Sequence, residues 1–268
     1  MQFPKNENLL KTFLTFCWFL HISFINSESI EYCDKSEKES KITKQNQGSP
    51  SSDTCQNTAP MALVLYNEDN VLPLHRDKRT LKYVSRDIVI KQEWKKLGVA
   101  AVVWDAAEVL SAYLEENPHL VRGRNTIELG AGTGLVGIVA ALLGSHVTIT
   151  DREEVLDFLK ETVSQNLPED LLGRTEIRAL DWTKDINNFP DPFDVILGAD
   201  IVYIEEVFED LLRTLLKLSN RDTLVLLSCR IRYERDNYFL DRLREHFIVN
   251  QILYDELKDV ILFQATKL

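Results

Sequence analysis

Glu128, Gly130, Gly132 and Gly134 stand at alternate positions in the run Glu128-Leu129-Gly130-Ala131-Gly132-Thr133-Gly134. Apolar residues flank the run on both sides, Thr126 to Leu129 before it and Leu135 to Leu143 after it, which reads as strand, turn and helix. Glycines at this spacing let a backbone turn tightly and approach a ligand that any Cβ would hold away. Twenty-one residues beyond Gly130 the next apolar stretch, His146 to Thr150, ends at Asp151, whose carboxylate suits both hydroxyls of a ribose. The chemistry expected is capture of a nucleoside-sized cofactor. A dinucleotide fingerprint would place a third glycine where Leu135 stands. The glycines alone also fit an ordinary strand-to-helix turn; Asp151 favours the ligand.

These residues need a scaffold, and the chain supplies alternating strands and helices, the pattern of a parallel sheet covered on both faces. Strands are expected over 127–129, 147–150, 175–180, 193–198 and 224–228. Phe208, Leu211, Leu212 and Leu215 fall on one face of a helix. Ligands of such a sheet sit beyond the carboxyl ends of its strands. The positions there are Gly130 to Gly132, Asp151, Asp181-Trp182, and Ala199-Asp200 with Tyr203. Asp181-Trp182 suits an adenine, edge and face, although Trp182 equally fits a rim tryptophan of the core. Trp104-Asp105 opens a helix that brings an aromatic ring beside the glycine loop, or serves as an anchor. A helix over 236–246 and strands over 247–254 and 259–265 end the chain.

Composition sets the bounds. The 268 residues are 44% hydrophobic, ample for a packed core, and carry a net charge of −11. The excess of acid lies after residue 60, so a nucleic-acid partner is not expected. Three of four cysteines, Cys17, Cys33 and Cys55, precede that point; Cys229 reads as a buried reduced thiol, and no Cys/His cluster suggests a metal. Residues 1–25 contain the hydrophobic run Phe13 to Ile25, with the length of a signal-peptide core and short for a membrane span. Residues 26–60 read as a disordered linker. The extension is either a secretory or anchoring signal or a stretch upstream of a natural start at Met61, from which residues 61–268 form the globular domain. No Asn-x-Ser/Thr sequon occurs.

The pattern E-x-G-x-G-x-G resembles the first motif of S-adenosylmethionine-dependent methyltransferases. With it, the runs Gly98 to Ala106, Glu128 to Leu143, Thr148 to Arg152, Gly198-Ala199-Asp200 and Cys229 to Asn237 resemble the methyltransferase-like family-21 protein-lysine methyltransferases over residues 61–268. Within that family the likeness is greatest to the member acting on seventy-kilodalton heat-shock chaperones. The resemblance implies a seven-strand Rossmann-like α/β fold with an antiparallel C-terminal hairpin, and S-adenosyl-L-methionine as cofactor. By matching position, Trp104, Gly130, Ala131, Gly132, Asp151, Trp182 and Ala199 would contact that cofactor. The family's acidic-x-x-aromatic motif reads Asp200-Ile201-Val202-Tyr203. The expected protein is a cytoplasmic monomer, or a membrane-anchored or secreted one if residues 13–25 act as a signal.

Methyl transfer to lysine requires a neutral amine aligned with an activated methyl. Asp200 is expected to bind and orient the ammonium and Tyr203 to line its channel; alternatively Asp200 caps the following helix and Tyr203 packs. The charged segment Arg230 to Asp236 is expected to dock the protein substrate through its arginines, or to be a self-paired loop. An adenine-amine methyltransferase would carry prolines where Ile201 and Val202 stand. Transfer to another protein or a small molecule, and a non-catalytic chaperone-binding protein, are the remaining alternatives.

Overall fold

The computed structural model describes residues 72–184, 189 and 192–268. The expected hydrophobic segment 1–25, the linker 26–60 and the start of the domain at Met61 lie outside these residues.

Among the described residues the first strands form a hairpin, β1 (Lys78–Tyr83) and β2 (Arg86–Lys91), followed by a short α1 (Trp94–Leu97) and by α2 (Asp105–Glu116). Then come β3 (Asn125–Leu129), α3 (Leu135–Leu142), β4 (His146–Asp151), α4 (Leu156–Asn166), α5 (Glu169–Leu172) and β5 (Thr175–Ala179). After them lie β6 (Val195–Ala199), α6 (Phe208–Leu218), β7 (Leu224–Cys229), α7 (Glu234–Arg244), β8 (Phe247–Asp255) and β9 (Val260–Lys267). Seven strands form one sheet in the order β5-β4-β3-β6-β7-β9-β8. The first five are parallel, and β9 runs antiparallel to both β7 and β8. The strand order reverses at β3 and β6, where Leu129 pairs with Gly198, and that is where an open α/β sheet leaves its crevice.

Alternation along the strands feeds two cores. Val195 and Leu197 face one cluster with Leu110 and Leu114 of α2, Ile138 and Val139 of α3, Leu159 of α4 and Ile88 and Ile90 of the hairpin. Ile127, Leu129 and Ile196 face the other, against Phe208, Leu211, Leu212 and Leu215 of α6 and Phe239 and Leu240 of α7. The apolar face expected for α6 is thus the buried one.

The hairpin was not foreseen. It packs on the first core through Ile88 and Ile90, and the Asn166 side chain at the end of α4 closes its edge, accepting from Val89 N at 2.7 Å and donating to Val89 O at 2.9 Å. Its two-residue turn, Val84-Ser85, takes φ of 52° and 56°.

Candidate active site

The glycine turn leaves β3 with Gly132 at φ 54°. A Cβ there would sit 2.9 Å from the Ala100 carbonyl oxygen, so the turn nests against the segment that leads to Trp104. At Gly130 a Cβ would meet Ile201 Cγ2 at 2.9 Å and Trp182 Cζ2 at 3.3 Å. The loop after β3 therefore touches the loops after β5 and β6 and the approach to α2. Trp104, Gly130, Ala131, Gly132, Trp182 and Ala199 are all half-buried around it.

Asp151 ends β4 with its carboxylate against the glycine loop: Oδ2 accepts from Gly132 N and Oδ1 from Arg152 N, each at 2.7 Å. Burial pushes its pKa upward, and the two amide bonds oppose the rise. Each oxygen accepts one of these amide bonds and retains a lone pair for a further donor. A half-buried glycine loop, a carboxylate with acceptor capacity and the indole of Trp182 over Gly130 fit a nucleoside: ribose hydroxyls on Asp151, a base on the indole. Trp104 has its indole N–H on Val99 O at 2.9 Å, so it offers the site ring surface. Asp181 turns away. One of its oxygens accepts from Thr183 N and Oγ1 at 3.0 and 2.7 Å, and the other meets Lys184 Nζ at 3.0 Å. The Asp181 carboxylate thus holds its own turn, and the expectation for an adenine edge at Asp181-Trp182 falls on the backbone amides there, with the indole of Trp182 as the covering face.

Glu128 of the motif does not reach the ligand side. Its Oε2 accepts from Gly137 N in the first turn of α3 at 2.9 Å, satisfying one of the orphan amides of that helix end. Complete burial, opposed by the Gly137 bond and reinforced by the charge of Asp151, pushes its pKa up to about 8. A Cβ on Gly137 would lie 2.5 Å from that oxygen, so this helical glycine is what lets the carboxyl in.

Asp200 follows β6 in the left-handed region, φ 56°, with its N–H on Ser228 O at 2.7 Å. Its oxygens receive Arg232 Nη1 and Nη2, each at 2.8 Å. The helical turn after it begins behind Ile204 and α6 behind Val207, neither with a side-chain cap, so the capping alternative is excluded. Burial pushes the Tyr203 hydroxyl up to about 12, with the negative charges of Asp151 and Asp200 contributing. Tyr203 thus carries a neutral hydroxyl at physiological pH, within the electrostatic reach of both carboxylates.

The arginines of this segment all make contacts within the protein, as the self-paired alternative expects, while Arg230 and Arg235 stay 33% and 38% exposed. Arg232 pairs with Asp200. Arg230 donates to the carbonyl oxygen of Lys258 and stands 3.6 Å from carboxylates of Asp105 and Asp259. Arg235 lies over the Tyr233 ring, 4.4 Å from its centroid, and donates to Tyr203 O at 3.5 Å. The spacing of Arg230, Arg232 and Arg235 marked a charged segment, but it carries no record of which acids the fold sets opposite.

Residues 82–246 match the family model described as lysine methyltransferase. The chain is 51% identical over 208 residues to the protein N-lysine methyltransferase METTL21A of Xenopus tropicalis, covering 76% of this chain and 96% of the relative. It is 50% identical over 211 residues to the Mus musculus protein of that name, covering 77% and 97%. The EEF1A lysine methyltransferase 3 of Mus musculus is 40% identical over 186 residues, covering 68% and 79%. Among solved structures, the glycopeptide N-methyltransferase MtfA complexed with S-adenosyl-L-methionine superposes with a TM-score of 0.51 at 15% identity, covering 62% of this chain and 95% of that one, a likeness of fold.

Proposed function

This chain belongs to the lysine methyltransferase family, and from that premise we propose that the lysine it methylates belongs to a seventy-kilodalton heat-shock chaperone. It is a protein N-lysine methyltransferase that uses S-adenosylmethionine. The chaperone reading is carried by the motif resemblance from Gly98 to Asn237, and the half-identity to the METTL21A relatives across three quarters of the chain supports transfer to a protein lysine.

When bound, the cofactor supplies a methyl group already activated by its sulfonium charge. Alignment and the proton of the lysine are then what this chain must manage. The ε-amine has an unperturbed pKa near 10.4, so a dry channel beside a cation favours its neutral form. In this reading Asp151 accepts the ribose hydroxyls and Trp182 covers the base. Trp104, Gly130, Ala131, Gly132 and Ala199 border the remainder of the cofactor. Asp200 meets the incoming lysine, and Tyr203 lines its path with a neutral hydroxyl.

The test uses the full chain with labelled S-adenosylmethionine and two purified acceptors side by side, the chaperone and elongation factor 1A. Label on the chaperone is the expected result; label on the elongation factor alone would transfer the assignment to the substrate class named for the third relative. We infer a cytoplasmic site of action from the chaperone substrate. A fluorescent reporter fused to the full chain would collect at membranes or in the medium if residues 13–25 direct it there.

A further inference from the structure

The loop between β7 and α7 closes on the loop after β6 through two arginines. Arg232 takes both oxygens of Asp200 in a fork, and Arg235 takes the Tyr203 carbonyl. The Asp200 and Arg232 side chains are only 8% and 13% exposed. The Nε of Arg232 is buried without a hydrogen-bond partner among the described residues, so its guanidinium is aimed at Asp200 at the expense of one donor. Asp236 fixes the base of that arm by accepting from Arg232 N and Tyr233 N at 2.8 and 3.0 Å. Desolvating such a pair is costly, and apolar residues of equal volume often serve stability as well. Stability alone is thus a poor reason for a charged fork at the carboxyl end of β6.

We propose that Arg232 is a positioning residue for methyl transfer: it holds the Asp200 carboxylate in one orientation and neutralises it, so that the lysine meets a fixed hydrogen-bond acceptor instead of a free anion. The proposal rests on the reading of Asp200 as the group that meets the lysine. A lone carboxylate would stabilise the ammonium, whose nitrogen has no lone pair to give; beside a guanidinium it does so far less. The ammonium releases its proton to water. The amine lone pair then forms the new N–C bond as the C–S bond breaks, and the electrons of that bond stay on sulfur.

The experiment is a double-mutant cycle on the full chain. It follows initial rates of labelled methyl transfer to a cell protein extract against pH, with calorimetric affinity for S-adenosylhomocysteine as the second readout. Arg232→Gln is expected to move the ascending limb of the rate by about one pH unit upward, a loss of about tenfold at neutral pH. Arg232→Lys keeps the charge and leaves the limb in place. In an Asp200→Asn background, Arg232→Gln adds no further loss, because the arginine acts through that carboxylate. The double variant leaves no unpaired charge buried, so it serves where the single one does not fold. Affinity for S-adenosylhomocysteine stays unchanged throughout. A loss equal at every pH and repeated in full in the Asp200→Asn background would overturn the proposal in favour of plain loop support. If Asp200→Asn itself matches the wild type in rate and pH profile, the reading of Asp200 fails first and takes the proposal with it.

Discussion

Glu128 opens the glycine motif, yet its carboxyl is buried on the helix side of β3, bonded to Gly137 N. Its pKa is raised from 4.5 to about 8. Between those values the folded protein holds a proton that the unfolded chain has released, so stability from this group is full below pH ~4.5 and is lost as pH rises through about 8. Glu128→Gln removes that slope, about 1.4 kcal/mol per pH unit. Denaturant unfolding across this window is expected to favour the variant increasingly with pH; parallel curves would show that Glu128 is ionised in the fold. Asp151 is a different case, since its acceptor capacity faces the glycine loop. Asp151→Asn removes charge-assisted bonds of about 1.5–3 kcal/mol, roughly a 10- to 150-fold weakening of S-adenosylhomocysteine binding by calorimetry. Sequence spacing marked Asp151 because a strand end fixes where its side chain must lie. It did not mark Arg232 as the partner of Asp200, because the two are joined only by the pairing of β6 with β7.

At the scale of elements, what was legible followed from periodicity. The central strands β6 and β7 were visible as apolar runs, and α6 as a stripe of Phe208, Leu211, Leu212 and Leu215, because burial on both faces of a sheet selects such runs; the edge strand β5 alternates apolar and charged residues instead. The β1–β2 hairpin escaped for the opposite reason. Lys78 to Tyr83 exposes charged residues on one side, and its turn reads Val84-Ser85 where Asn-Gly would announce it. Both turn residues hold positive φ, a conformation that costs an L-residue about 1–2 kcal/mol. Ser85 is exposed, so Ser85→Gly is expected to raise stability by about 0.5–1 kcal/mol in chemical denaturation. A loss instead would mean that the seryl side chain holds the turn.

For the molecule as a whole, the sheet order places the loops at the carboxyl ends of β3, β4, β5 and β6 side by side, and the antiparallel β9–β8 pair extends the sheet on the far side of β7. Strand alternation with the resemblance anticipated that plan. Pairing of the arginines within the protein was beyond it, since an acidic domain with interspersed basic residues reads the same whether its cations face a partner or its own acids. At that end of the sheet the methyl donor is expected to bind and its methyl to pass to a lysine. Peptide-resolved mass spectrometry of a purified seventy-kilodalton chaperone, after incubation with S-adenosylmethionine and either the full chain or its Asp151→Asn variant, tests this most directly. One lysine is expected to gain whole methyl increments with the wild type and at least about tenfold less with the variant. Equal methylation by both proteins would contradict it.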